Sequence, residues 1–76
     1  MTYGYSIKTA RLNAEADDSR LGVQLGKACI EAAVPVMVVA ARLGVSRQTV
    51  YNWFAGTHIP GPRSIPAIQA FLASLD

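Results

Sequence analysis

An all-α fold, a compact bundle of four to five short helices, is predicted by three features of this sequence. Apolar residues recur at helical spacing through most of the chain after residue 18. Proline, glycine and serine punctuate that pattern at intervals that leave room only for short helices. Strand-like alternation is confined to the opening TYGYSI. The 76 residues suffice for one small domain. Its core must close by helix packing, because the single Cys29 has no partner for an internal disulfide or a zinc site. With 51% hydrophobic residues and a mean hydropathy of +0.25, the chain has apolar side chains beyond the needs of a small core. A further apolar surface for a partner, such as a second copy, is therefore expected.

Residues 1–18 read two ways, as a short N-terminal arm or as an extra helix over KTARLNAEA, beside a domain expected at 19–76. In DDSRLGVQLGKACIEAAV the acidic pair and Ser19 are N-cap material. Leu21, Leu25, Ala28, Cys29 and Ala32 form an apolar stripe there, which predicts a helix over about 19–33. Pro35 blocks its continuation and suits the first turn of the next helix, PVMVVAARLG, expected at about 35–43 with Gly44 as a left-handed C-cap. Ser46 caps RQTVYNWF, which the Ala55-Gly56 pair ends. The connector THIPGPR then leads to Ser64 as the cap of a last helix through Leu75. That helix carries Ile65, Ile68, Phe71, Leu72 and Leu75 on its apolar face, and Pro66 falls in its first turn, where the missing N–H costs little.

The net charge of +2 is unevenly spread. Lys8 and Arg11 stand against Glu15, Asp17 and Asp18, whereas no acidic residue falls between Ala32 and Leu75, the stretch that holds Arg42, Arg47, Arg63 and His58. The C-terminal half therefore suits a polyanion. The opening residues lack the apolar stretch of a signal peptide, and no apolar run approaches the ~18 residues of a membrane span, so a cytoplasmic protein with no membrane contact is expected. No cofactor or metal is expected either: His58 has no cysteine or carboxylate near it in sequence. Glu15, Asp17 and Asp18 read as residues favoured by a helix dipole rather than as paired catalytic carboxylates. One His, one Cys and no converging acid–base pair leave no enzyme to assemble.

Residues 40–56, AARLGVSRQTVYNWFAG, concentrate the remaining signal. Two helices can cross closely here because Ala40 is small and Gly44 tolerates a left-handed turn. Val39, Leu43, Val45, Val50 and Trp53 then point to one core, leaving Arg47, Gln48, Tyr51 and Asn52 outward with Thr49 at their flank.

This stretch resembles the Cro/repressor-type (XRE-like) helix-turn-helix DNA-binding domains. The likeness runs from about Leu21 to Leu72, is tightest from Val34 to Gly56, and includes Pro60 after the second of these two helices. It implies a lambda-repressor-like bundle whose residues 46–54 form a recognition helix for the major groove of double-stranded DNA. It also implies a sequence-specific transcriptional regulator, a repressor of phage or prokaryotic type acting as a homodimer. On that reading Arg47 offers its planar fork to guanine or, rotated, to a phosphate, Gln48 its amide to adenine, Asn52 its amide to adenine or the backbone, and Tyr51 a hydroxyl to phosphate and a ring to a thymine methyl. Ser46, Thr49, His58 and Arg63 would hold the DNA backbone. Lys8 and Arg11 would contact DNA from an arm in the minor groove, or else be solvated charges on an extra helix.

The chain departs from the family pattern at three places. Val36 stands where a phosphate-clamping glutamine is usual, Met37-Val38 replace a polar pair, and Phe54 replaces a commonly acidic residue. Met37, Val38 and Ala41 should face solvent, so they call for cover, either by Tyr3, Tyr5 and Ile7 folding back or by a second subunit. Met37, Val38 and Phe54 are accordingly candidates for a protein interface. They support an alternative expectation, an adaptor that binds transcription machinery or a toxin. A DNA-packaging or recombination accessory role also fits, since a fold does not dictate its transaction.

Overall fold

Ser6 begins the first helix of the computed structural model, which describes residues 5–75. Its hydroxyl accepts the Thr9 N–H at 3.1 Å, satisfying one of the donors a helix start leaves open, and α1 runs Ile7–Glu15. There follow α2 (Leu21–Glu31), α3 (Val36–Leu43), α4 (Arg47–Ala55) and α5 (Ile65–Ser74), with no strand among the described residues. Residues 7–15 thus take the helical form of the two that the sequence left open. Tyr3 lies outside the described residues.

The central helix is α2, which packs against α1, α4 and α5, while α4 also meets α1 and α3. This explains why α2 buries more than the single stripe read from its sequence. Leu25 and Cys29 of that stripe are fully buried, but so is Val23 on another side, and Ala32 is exposed beyond the last turn. Two glycines one turn apart set the α2–α4 spacing. A Cβ on Gly22 would lie 2.8 Å from the Trp53 Cβ and 2.9 Å from the Trp53 carbonyl oxygen. One on Gly26 would meet the Asn13 amide nitrogen and would lie 2.9 Å from the Phe54 ring. The remaining core comes from Val36, Val39 and Ala40 of α3, Val50, Trp53 and Phe54 of α4, and Ile68 and Phe71 of α5. Leu43 and Val45 pack against it, half-buried. The Cα radius of gyration, 10.9 Å, is near the roughly 11 Å typical of a compact chain this long.

Three helices end in the same way. After α2, α3 and α4 the chain turns left-handed at Ala33 (φ 57°), Gly44 (φ 68°) and Gly56 (φ 76°). In each case the next N–H reaches back five residues: Val34 to the Cys29 carbonyl at 2.9 Å, Val45 to Ala40 at 3.0 Å and Thr57 to Asn52 at 3.0 Å. These are Schellman closures, and two of them use the residue type that bears positive φ without strain. Alanine at the first does not. Ala33→Gly should therefore stabilise the protein by about 0.5–1 kcal/mol, the left-handed strain removed being offset in part by the freer unfolded chain. Urea unfolding would register this as a higher midpoint at unchanged slope.

Several expected boundaries and caps shift. Leu21 is the first residue of α2, and its N-cap Arg20 makes no side-chain cap bond. The Asp17 carboxylate instead accepts the Ser19 N–H at 3.0 Å and the Ser19 hydroxyl at 2.7 Å, closing a local turn ahead of the helix. Those two bonds and the nearby Arg20 hold the Asp17 carboxyl below its usual range. Pro35 is the N-cap of α3 rather than its first residue. Ser64 precedes α5 in a helical conformation and makes no side-chain cap bond. Ile65, expected on the buried face, is 37% exposed, because α5 presents mainly Ile68 and Phe71 to the core.

Candidate nucleic-acid interface

The outward face of α4 is produced by its own cap and by burial on its other side. Ser46 accepts the Thr49 N–H at 3.1 Å, and the two hydroxyls lie 2.9 Å apart, fixing the first turn. Val50 and Phe54 are fully buried and Trp53 nearly so. The remaining positions, Arg47, Gln48 and Tyr51, are exposed, and Asn52 is half-exposed. Gln48 Nε2 donates to Asn52 Oδ1 at 3.0 Å across one helical turn. That brace orients both amides and leaves Gln48 Oε1 and the second Nε2 hydrogen for an outside partner. An acceptor beside a donor complements the N6/N7 edge of adenine.

Beyond α4, His58 and Arg63 stand exposed in the connector to α5. The Asn52 carbonyl anchors the start of this connector, accepting from the Thr57 N–H at 3.0 Å and the Thr57 hydroxyl at 3.2 Å. The His58 ring nitrogen Nδ1 lies 3.4 Å from the Thr57 hydroxyl. Arg42, on α3, lays its guanidinium over the Phe71 ring at 5.6 Å, at the edge of a shallow groove beside Ala67 and Ala70 of α5.

One expectation about these residues needs correction, and two that the sequence left open lose one of their alternatives. Phe54, offered as an interface residue, is fully buried, since α1 lies over it and the Tyr5 ring packs against it at 6.0 Å between centroids. Lys8 and Arg11 do not sit on an extended arm. Both are exposed on α1, which Asn13 fastens to the body by donating to the Val23 carbonyl at 3.1 Å and the Phe54 carbonyl at 2.9 Å. Nor does the N-terminal segment cover the apolar side of α3 among the described residues. Tyr5 goes to the core, with its hydroxyl donating to the Val34 carbonyl, while Ile7 is 77% exposed. Met37 and Val38 remain 58% and 37% exposed, and Ala41 is exposed too. Val36, at the position where the resemblance implies a phosphate clamp, is instead a core residue at 4% exposure.

One juxtaposition went unforeseen. Lys8, Thr9 and Leu12 of α1 line a single groove with Gln48, Tyr51 and Ala55 of α4, a space of about 280 Å3 floored by Phe54. Asn13, the residue that holds α1 in this place, carried a weak signal: asparagine is a poor helix former in the middle of a helix, so its presence there asks for a packing reason. Cys29 is buried among apolar groups, which pushes its thiol up to about 11 and keeps it protonated at neutral pH. Burial chiefly, and then the neighbouring Cys29 and Tyr51, push the Tyr5 hydroxyl up as well. Among the described residues no three His, Cys, Asp or Glu side chains gather where a metal could sit, and no helix is long and apolar enough to cross a membrane. No family model, curated protein or solved structure matches the chain.

Proposed function

We propose that this protein is a sequence-specific DNA-binding regulator of the helix-turn-helix kind, a repressor acting as a homodimer, with α4 as its recognition helix. The observation that carries the reading is the division of α4. Val50, Trp53 and Phe54 are buried, while Arg47, Gln48, Tyr51 and Asn52 stand outward on a helix introduced by a glycine turn. The absence of acidic residues from Ala32 to Leu75 supports a polyanionic partner. In this reading Arg47 and Gln48 read bases, Asn52 braces Gln48 and shares its edge, and Ser46, Thr49, His58 and Arg63 meet the phosphates.

Selection of bound sequences from random duplex DNA by the purified protein tests it. A recovered palindrome supports both base reading and dimeric binding, and the absence of any enriched sequence overturns it. With the selected site in hand, Gln48→Ala should cost about 1–3 kcal/mol on that site and little on random DNA, whereas Arg63→Ala should weaken both alike. Equal loss on both from Gln48→Ala would remove its base-reading role.

A second reading rests on the exposed Met37 and Val38 of α3. In it the chain is an adaptor whose apolar face meets a protein. Such a contact would be insensitive to salt, whereas DNA binding falls steeply as salt rises.

A further inference from the structure

The groove between α1 and α4 is built by two elements, only one of which belongs to the proposed recognition unit. We infer that this groove seats one strand of the DNA sugar–phosphate backbone, with Lys8 as its phosphate contact, so that α1 is a second DNA-contacting element. The inference rests on the reading of α4 as the base-contacting helix.

Dimensions limit where α1 can lie. The major groove of B-DNA is about 12 Å wide. One helix with its side chains is about 10–12 Å across, so a single helix fills it. Packed neighbours have axes about 8–10 Å apart. A helix that flanks α4 therefore cannot enter the groove with it, and one that borders the Gln48–Tyr51 face of α4 meets the rim, where the phosphates run. The α1 residues at that boundary are Lys8, Thr9 and Leu12, beside Gln48 and Tyr51.

Charge and size agree with a backbone strand as the occupant. Among the described residues Lys8 is the only charged side chain lining the groove, and no carboxylate lines it. The Tyr51 side chain, 36% exposed, brings a hydroxyl that can donate to a phosphate oxygen. The space, about 280 Å3, is partly open to solvent rather than an enclosed cavity, as a site for a backbone strand must be. Arg11, although cationic, exposed and nearly one turn further along α1, does not line the groove.

The test compares the salt dependence of duplex binding for the full chain and its variants on the selected site. Lys8→Gln should lower the slope of log K against log salt by about 0.9, one phosphate contact's worth, and weaken selected and random duplexes equally. Arg11→Gln should leave the slope unchanged. Both positions are exposed, and equal melting temperatures of the variants and the parent will show that the fold is kept. An unchanged slope in Lys8→Gln, or the same fall in Arg11→Gln, overturns the α1 contact. If Gln48→Ala relaxes sequence preference while Lys8→Gln changes nothing, only this inference fails. A chain that binds no duplex at low salt overturns the α4 reading and this inference together.

Discussion

Gly22→Ala should lower the stability of the protein by about 2 kcal/mol, despite placing a better helix former in α2. Alanine is worth about 1 kcal/mol over glycine in an unconstrained helix interior. Here the added methyl would meet the Trp53 carbonyl oxygen at 2.9 Å and its Cα at 3.1 Å, atoms that no rotamer change can move. The α2 and α4 backbones must separate, loosening Val23, Val50 and Trp53 together. For a chain this short, a loss of about 2 kcal/mol corresponds to a fall in melting temperature of roughly 8–16 °C. Gly61→Ala is the natural control, because a Cβ there meets nothing within 4 Å and its φ is not positive. Calorimetry showing equal melting temperatures for the two variants would mean that α2 and α4 do not touch as described.

Asn13→Leu should cost about 1–3 kcal/mol. Only the NH2 group of this side chain can face two carbonyl oxygens, so its orientation follows from its partners. The Phe54 carbonyl is the more costly to abandon. It lies in the last turn of α4, and the His58 N–H that a continued helix would offer it turns instead to Asn52. Asn13→Asp adds a sign that can be measured. A carboxylate facing two carbonyls is destabilised in the folded state, so its folded pKa rises above its unfolded one. The variant's deficit is then full above the folded pKa and shrinks as pH falls through that value towards the unfolded one. Thermal melts at neutral and mildly acidic pH should show the gap to the parent narrowing on acidification. A gap that stays constant would place Asn13 away from those carbonyls.

What could be read from the sequence was the local part. Gly44 was legible as a left-handed end, Gly56 as part of a helix stop and Ser46 as a cap, because each acts on residues within one turn of itself. The outward set on α4 was legible for the same reason, from a 3.6-residue period. Ser19 and Ser64 misled because a serine before an apolar run is equally at home in a turn. Asp17 claimed Ser19 for such a turn, and Ser64 itself adopts helical angles. The burial of Phe54 was only half visible. Its spacing from Val50 and Trp53 places it on the apolar side, but the resemblance suggested solvent there, and the helix that covers it starts 47 residues earlier in the chain. The α1–α4 groove was out of reach, since it depends on where a separate helix docks.

The fastening of α1 bears on how the molecule can be divided. Asn13 closes the end of α4, Tyr5 reaches the turn that leads into α3, and the two bracket the Phe54 ring from one side. Residues 5–15 are therefore a wall of the core rather than an appendage to it. A protease cutting in the exposed turn at residues 17–20 would separate two pieces that each lack a finished interior: a short helix with one tyrosine and one asparagine unpaired, and a bundle open at its most buried phenylalanine. Shortening the chain to residues 19–76 would not yield a smaller version of the same protein, because the cut passes through the core that the described residues share.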